Sequence, residues 1–308
     1  MFVMSLICNT PILIAQDDTV LAQQQVKAST ESTSSNLNSP YLEVEGGYFR
    51  LGSHDAHAAV DEFPIKKIAV PSLVVGRYEV TFTEFDLFCE STGHPKPDDA
   101  GWGRDNRPVM NVDWYLAIQY CNWLSEKEGF TPCYAITKAK ACEITGFYNG
   151  EEDWKVTCNW EADGYRLPTE AEWEYIARGG KKAKRSLFAG SNTIEEVGWY
   201  AENSEDMTHP VGSKQANELG AHDMSGNVWE WCWDWYAAKA YKDIETFGPT
   251  GPETGKLKSM RGGACDNDTG MYLRVSNRGY LDPEVGYPCL GFRVVRLLLD
   301  KQSQGSRF

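Results

Sequence analysis

The sequence predicts an α+β fold that is poor in regular secondary structure. Three segments carry helix-capping residues followed by apolar residues at helical spacing, and two short runs have the composition of β-strands. The remaining chain is dominated by Gly, Asn, Asp and Trp in irregular order. Such a chain is held together by turns and side-chain contacts more than by long regular elements. With 308 residues, 42% of them hydrophobic, it can bury a sizeable core.

Three helices are predicted, in EVTFTEFDLFCESTG, VDWYLAIQYCNWLSEKEG and RLPTEAEWEYIARGG. Each begins at a residue whose side chain can accept a hydrogen bond from the first turn, and these capping residues are Thr81, Asp113 and Thr169. Glu84 and Glu172 complete capping boxes. The glycines that end the helices are Gly93, Gly129 and Gly179. The apolar faces, which we expect in the core, consist of Phe85, Phe88, Cys89, Trp114, Ala117, Ile118, Cys121, Leu124, Trp173, Ile176 and Ala177.

Between the second and third helices, residues 131–164 contain the β-like pieces CYAIT and WKVTCNW, separated by polar turns. This pattern predicts an elaborated loop or a small ribbon. Whether Cys142 pairs with Cys158 is left open.

The segment GNVWEWCWDWY alternates tryptophans with polar residues, so a strand would place all four indoles on one face. Such a face is either a platform for stacking sugars or part of a core. We favour the core, since so many exposed indoles would promote aggregation. If the chain turns at Gly226, Asp223, Glu230 and two backbone carbonyls reach one point. Oxygen ligands of this kind suit Ca²⁺, although a turn satisfied by its own hydrogen bonds is the alternative.

The net charge of −14 argues against nucleic acid and anionic membrane surfaces as partners. Nine cysteines without a CxxC pair suggest neither a zinc knuckle nor a dense disulfide framework. His54 and His57, in HDAH, resemble solvated turn residues more than metal ligands.

Residues 1–40 are predicted to be a signal-like or flexible N-terminal segment, and residues 41–308 a single domain. The apolar start, and Cys8 as a candidate for acylation, favour export to the cell surface with a membrane tether through an N-terminal lipid only. A plain ragged N-terminus is the alternative.

Six blocks in order resemble the formylglycine-generating-enzyme (sulfatase-modifying factor) superfamily: GGYFRLGS, YEVTFTEF, NVDWYLAIQYCNWLSEKEGFTPCY, GYRLPTEAEWEYIARGG, MSGNVWEWCWDWY, and RGGA followed by GFRVV. The resemblance implies a C-type-lectin-like fold. It also implies a structural Ca²⁺ at the positions that match the family's ligands, namely Asp223, Gly226, Val228 and Glu230.

The oxidase branch of this superfamily uses two cysteines shortly after the GGS block to bind copper and oxidise a substrate cysteine. Here Cys265 stands alone after Gly263, and the next cysteine is Cys289. The scattered histidines also do not supply the three-histidine iron site of another branch. We therefore expect no copper and no inherited catalysis.

The last block resembles more closely the variable proteins of diversity-generating retroelements, of the treponemal type, over residues 261–295. Its frame consists of Arg261, Gly262, Gly263, Arg274, Asn277, Arg278, Pro283, Gly291, Phe292 and Arg293. The resemblance implies a non-catalytic display protein that binds a protein or glycan ligand on a host or bacterial surface. The residues expected to contact that ligand are Asp266, Asn267, Met271, Tyr272, Gly279, Tyr280, Leu281, Glu284, Tyr287 and Cys289.

Two alternatives stay open. One is a copper oxidase that uses Cys265 and Cys289 as a rearranged pair. The other is a surface protein that uses its lectin-like fold to bind carbohydrate.

Overall fold

The computed structural model describes residues 39–140 and 152–299. Cys8, the polar stretch before Ser39, and Cys142 lie outside the described residues, so the predictions about acylation and about the pairing of Cys142 stay predictions. None of the described helices is long and apolar enough to cross a membrane.

The three predicted helices are confirmed as α1 (Phe82–Thr92), α2 (Trp114–Glu128) and α3 (Glu170–Ala177). Their caps are those read from the sequence. Thr81 and Glu84 exchange the two hydrogen bonds of a capping box, and Asp113 accepts from the backbone of Leu116 at 2.7 Å. Two short helices follow, α4 (Ile194–Val197) and α5 (Ala201–Ser204).

Helix α3 differs from its prediction, because all eight of its residues are buried and it has no solvent face. The buried stripe was expected to contain only Trp173, Ile176 and Ala177. The helix also contains Glu170, Glu172 and Glu174, and a glutamate normally indicates solvent. Here each carboxylate forms an ion pair with an arginine, so the polar face of the helix can be buried as well.

Short strands form four small sheets. Strands β1 (Tyr41–Val44), β4 (Leu73–Gly76) and β11 (Val295–Leu297) form a three-stranded sheet in the order β1-β4-β11. Strands β2 (Gly47–Leu51) and β3 (Lys66–Val70) pair with each other. The predicted ribbon is confirmed as the antiparallel pair β5 (Tyr134–Lys140) and β6 (Glu152–Cys158).

The fourth sheet carries the candidate site. It contains β7 (Trp229–Trp235), β8 (Lys258–Arg261), β9 (Gly279–Leu281) and β10 (Leu290–Gly291), in the order β10-β7-β8-β9. Trp229 and Trp231 of β7 are buried, which confirms the core interpretation for them, whereas Trp233 and Trp235 are half-buried. Each end of the segment 265–289 carries a cysteine, and both ends form backbone hydrogen bonds at the start of β7.

Candidate binding surface

The arginines of the frame are buried, and each is paired with a buried carboxylate. Arg278 donates from Nε and Nη2 to Glu170 at 2.9 and 2.7 Å. Arg274 donates to both carboxylate oxygens of Glu62 at 3.0 and 2.5 Å. Such bidentate pairs fix orientation as well as distance. They attach the segment that follows Gly270 to α3 and to the 3-10 helix Val60–Glu62.

The other two frame arginines act in the same way. Arg261 pairs with Glu174 and donates to the carbonyls of Val275 and Ser276 at 3.2 and 3.0 Å. Arg293 is bidentate to Glu230 at 2.6 and 2.5 Å. Buried arginine side chains therefore fix the backbone around residues 274–278. The exposed residues of the segment contribute nothing to these contacts.

The paired glycines of the frame permit close packing that no other residue allows. Gly262 and Gly263 have φ angles of 99° and 72°, which side-chain-bearing residues rarely adopt. A Cβ atom on Gly263 would lie 2.8 Å from Leu273 and 2.9 Å from the carbonyl oxygen of Tyr272. The turn at the RGG block thus brings the 3-10 helix Gly270–Leu273 directly onto the sheet.

Many of the residues between the frame positions are exposed. Among the described residues, eleven large hydrophobic side chains are exposed, and five of them lie within 266–288: Met271, Tyr272, Tyr280, Val285 and Tyr287. Glu284 is also exposed, and Asp266, Asn267 and Leu281 are half-exposed. We define the variable face as Asp266, Asn267, Met271, Tyr272, Tyr280, Leu281, Glu284 and Tyr287.

Two residues expected to contact a ligand do not belong to this face. Gly279 is buried in β9, where a Cβ atom would lie 2.8 Å from Trp229 and 2.9 Å from Met260. Cys289 is only 1% exposed, because its sulfur points into the core. Val285 was missed, although the turn in which its N–H donates to the carbonyl of Asp282 at 3.1 Å is of the kind that Pro and Gly neighbours predict.

Contacts within the variable face give it a defined shape. The hydroxyl of Tyr287 donates to Asp266 at 2.8 Å, and this hydrogen bond, with burial, raises the pKa of Tyr287 to about 12. Tyr280 stacks on Tyr236 with ring centroids 4.1 Å apart. The side chain of Asn267 accepts a hydrogen bond from the backbone N–H of Ala264 at 2.9 Å. This side chain therefore stabilises a turn in addition to lying partly at the surface.

The structure also brings Cys265 and Cys289 together. Their sulfurs are 3.0 Å apart, and both residues are buried at 0% and 1% exposure. The hydrogen bond to Cys289, together with burial, raises the pKa of Cys265, so the thiolate is disfavoured. A surface thiol of a substrate has no open path to either sulfur.

The predicted calcium residues lie at the turn before β7. Asp223, Gly226 and Asn227 have φ angles of 58°, 94° and 66°, and these three left-handed residues shape the tight turn. A Cβ atom on Gly226 would lie 2.2 Å from the carbonyl oxygen of Trp199. The glycine is therefore required by packing, whether or not a cation binds.

The carboxylates at this turn fit Ca²⁺ only in part. Asp223 is buried, and its Oδ1 has no hydrogen-bond partner among the described residues. Glu230, in contrast, is engaged by Arg293 and by the indole N–H of Trp173 at 2.8 Å. Within the described ranges no group of three or more His, Cys, Asp or Glu side chains has a metal-binding arrangement.

A third carboxylate at the turn was missed from the sequence, where it is the single acidic residue of YEVTF. Glu79 accepts from the side chain of Asn227 at 2.8 Å and from the backbone of Val228 at 3.2 Å. Burial, together with repulsion from Asp223 and Glu230, raises the pKa of Glu79, and burial raises the pKa of Asp223 to about 6. One guanidinium, that of Arg293, thus faces three carboxylates.

Residues 26–298 match the family described as the sulfatase-modifying factor enzyme 1-like domain. The chain belongs to this family. It is 33% identical to the chaperone protein LppX of Paenibacillus barcinonensis over 295 residues, which cover 90% of this chain and 96% of that protein. It is 28% identical to the formylglycine-generating enzyme of Thermomonospora curvata over 285 residues, covering 81% and 91% of the two chains.

Solved structures confirm the predicted C-type-lectin-like fold. Treponema denticola variable protein 1 is 31% identical with a TM-score of 0.67, and the match covers 84% of this chain and 95% of that one. PvdO from Pseudomonas aeruginosa is 26% identical with a TM-score of 0.64, covering 84% and 94%. The family of the variable proteins, expected from the RGG to GFR frame, is thus confirmed as a structural relative of this chain.

Proposed function

We propose that the chain is a ligand-binding display protein and that the variable face forms its binding site on a non-catalytic scaffold. One observation carries the proposal: the ten frame residues are buried, whereas eight of the ten predicted contact residues are fully or partly exposed. A frame fixed by buried ion pairs keeps its shape when the exposed residues between its members change.

The chemistry of the variable face suits recognition of a protein or glycan surface. Tyr272, Tyr280 and Tyr287 offer broad amphipathic contact at low entropic cost, and Asp266 and Asn267 offer adaptable hydrogen bonding. Clustering of exposed apolar side chains marks interaction sites on soluble proteins. The net charge of −14 argues against nucleic acid as the ligand.

The relatives support this proposal unequally. Two of them are named as a variable protein and as a chaperone, which are roles that need binding surfaces. Others are named as formylglycine-generating enzymes. The comparison of names therefore supports a binding function without excluding an enzyme.

Diversification can be tested in the gene. The coding sequence and its downstream region are sequenced in several clonal lines of the source organism. We expect differences confined to codons 265–290, next to a near-copy repeat and a reverse transcriptase gene. Identical tails in all lines, with no such repeat, would count against diversification of this site.

Binding can be tested directly with displayed libraries. One library randomises four exposed residues of the variable face, and a matched library randomises four exposed residues elsewhere. The first four are Met271, Tyr272, Tyr280 and Tyr287, and the second four are Tyr48, Val60, Leu87 and Phe247. Both are selected against hen lysozyme as an arbitrary protein target. We expect binders from the first library only. Equal recovery from both libraries would show that the variable face has no special capacity to bind.

A copper oxidase is the second candidate, because the sulfurs of Cys265 and Cys289 are in contact. Burial of both sulfurs opposes it, since a substrate cysteine must reach the metal. Copper-dependent oxygen consumption with a cysteine-containing peptide, lost on Cys265→Ser, would support this candidate. No consumption by the reduced, copper-loaded chain would remove it.

Carbohydrate binding is a third candidate, favoured by a cleft lined by Trp154, Trp160, Trp233 and Trp235. Indole faces stack on sugars, and these side chains are half-buried. Glycan-array binding that survives scrambling of the variable face and is lost on Trp235→Ala would favour this function. Loss of binding on scrambling would instead assign the glycan to the variable face.

Export to the cell surface with a lipid tether at Cys8 completes the proposal. A display protein needs access to ligands outside the cell. Labelling of cells with a clickable palmitate analogue tests the tether, with Cys8→Ser as the control. Absence of label from the wild-type protein would rule out acylation.

A further inference from the structure

Cys265 and Cys289 lie at the two ends of the segment that carries the variable face. Among the seven described cysteines, this is the pair whose sulfurs are in contact, at 3.0 Å. The two residues are 24 positions apart in sequence. A covalent bond between them would close a loop around every residue of the variable face.

Both cysteines are held in place through their backbones, on either side of Val228. The N–H of Cys265 donates to the carbonyl of Asn227 at 3.0 Å, and the carbonyl of Cys289 accepts from the N–H of Trp229 at 2.8 Å. Leu290, the next residue, pairs with Trp229 in the sheet. The fold itself therefore sets the contact between the sulfurs, independently of the exposed residues in between.

The backbone conformation of Cys289 indicates that cysteine stands at this position because of its sulfur. Its φ angle is 66°, a left-handed conformation that glycine and asparagine adopt more readily than cysteine. The side chain is packed in the main core with Leu290 and Phe292. A cysteine at a site where its backbone is unfavourable is best explained by its contact with Cys265.

The surroundings do not suit a reactive thiolate. The mutual hydrogen bond with Cys289, burial and the negative charge of Asp266 all raise the pKa of Cys265 and so disfavour its ionisation. Reactive and catalytic cysteines are partly exposed and lie near positive charge. Buried thiols of this kind are inert once the segment has closed over them.

We propose that Cys265 and Cys289 form a disulfide that ties together the two ends of the variable segment. A small-molecule disulfide such as oxidised glutathione is the oxidant. One cysteine attacks it while the segment is still open, which gives a mixed disulfide and releases one thiol. The second cysteine then attacks the mixed disulfide and releases the second thiol. Two protons leave the protein, and the oxidant gains both electrons.

The bond would limit opening of the segment whatever its sequence. Closing a loop covalently restricts the unfolded ensemble and makes local opening rarer. The variable face contributes little to the core, so a link at its base maintains its position. This inference stands apart from the binding function, since the bond can form in a protein that binds nothing.

The test begins with the full chain refolded in glutathione redox buffer, alkylated under denaturing conditions and digested with trypsin. Cleavage after the frame arginines gives peptides 262–274 and 279–293, which contain one cysteine each. We expect these two peptides to be linked and their summed mass to be lower by two hydrogen atoms. Recovery of both peptides fully alkylated, or either cysteine linked elsewhere, overturns the proposal.

Limited proteolysis provides a second readout. We expect cleavage within 266–288 to be roughly tenfold slower in the oxidised than in the reduced protein. Cys265→Ser should abolish this dependence on redox state, whereas Cys232→Ser, at another buried and unlinked cysteine, should preserve it. Equal cleavage of the oxidised and reduced wild-type protein would show that the pair does not restrain the segment.

Discussion

The guanidinium of Arg278 holds the carboxylate of Glu170 through two hydrogen bonds, with both side chains almost fully buried. Arg278 lies in the segment that displays the variable face, and Glu170 is the first residue of α3. The contact therefore joins the segment that carries the variable face to a helix whose residues are all buried.

Loss of this contact is expected to destabilise the fold strongly. Glu170→Ala leaves the charge of Arg278 buried without its partner, which costs about 3–5 kcal/mol of unfolding free energy. Urea denaturation measures the loss. The matched control is Glu45→Ala, which breaks the exposed pair of Glu45 with Lys181 and should cost less than about 1 kcal/mol. Equal losses in the two variants would contradict the structural role of Arg278.

Gly263 is expected to tolerate no side chain, for a reason beyond its backbone angle. Gly263→Ala adds both left-handed strain and contacts below 3.0 Å with Leu273 and Tyr272. Gly101→Ala adds the strain alone, since Gly101 has a φ of 75° and nothing within 4 Å of its Cβ position. We expect Gly101→Ala to lower the free energy of unfolding by about 1–2 kcal/mol and Gly263→Ala to lower it by at least about 3 kcal/mol. Chemical denaturation of both variants gives the difference, and similar losses would argue against the clash.

Three consecutive residues test the separation of frame and face. Met271 and Tyr272 are 36% and 46% exposed, whereas Leu273 is fully buried. Replacing Met271 and Tyr272 together by alanine should cost less than about 1 kcal/mol, but Leu273→Ala should cost about 2–5 kcal/mol. Thermal or urea unfolding distinguishes the two. A double variant as damaging as Leu273→Ala would mean that the exposed residues carry part of the fold.

The sequence was most informative where a local rule determines the structure. The caps at Thr81, Asp113 and Thr169 predicted three helix starts, because a capping hydrogen bond depends on residues within one turn. The ribbon and the buried start of β7 were predictable for similar reasons. The complete burial of α3 was not, since it depends in part on arginines that are remote in sequence. Arg278 pairs with Glu170, and Arg261 pairs with Glu174.

The candidate site was predicted in part for the same reason. The frame and most of the face followed from the resemblance, but the inward direction of Cys289 depends on its left-handed backbone and on Cys265 across the loop. Glu79 could not be connected with Asp223 and Glu230 without the fold, because it lies more than a hundred residues before them. Long-range contacts between charged residues leave no periodic signal in a single sequence.

We expect calcium to bind through Asp223. Oδ1 of Asp223 is a buried oxygen without a partner, and three carboxylates near the turn face one guanidinium. Addition of Ca²⁺ to chelator-treated protein should therefore raise the thermal midpoint, whereas Mg²⁺ should have little effect because it loses its waters reluctantly. Asp223→Ala should remove the response to Ca²⁺. A midpoint that neither chelator nor Ca²⁺ changes would eliminate the predicted site.

Lys258 is expected to make the stability of the fold depend on pH. Its ammonium group lies 4.0 Å from the ring centre of Trp114 and 3.8 Å from that of Trp235, and it donates to the carbonyl of Trp233 at 2.7 Å. Burial lowers the pKa of Lys258 from 10.5 to about 7, although the nearby carboxylate of Asp234 acts in the opposite direction. At pH values between these two pKa values, Lys258 therefore binds fewer protons in the folded chain than in the unfolded chain.

The contribution of Lys258 to stability must then rise with pH above the folded pKa, by up to about 1.4 kcal/mol per pH unit. Lys258→Met removes the titrating group and keeps the length of the side chain. Urea denaturation at about pH 7 and about pH 9 should show wild type gaining stability relative to Lys258→Met as the pH increases. Loss of the lysine also removes a positive charge beside Asp234, which raises the pKa of that carboxyl further and adds to the same trend. A difference between the two proteins that is the same at both pH values would show that Lys258 stays charged in the folded state.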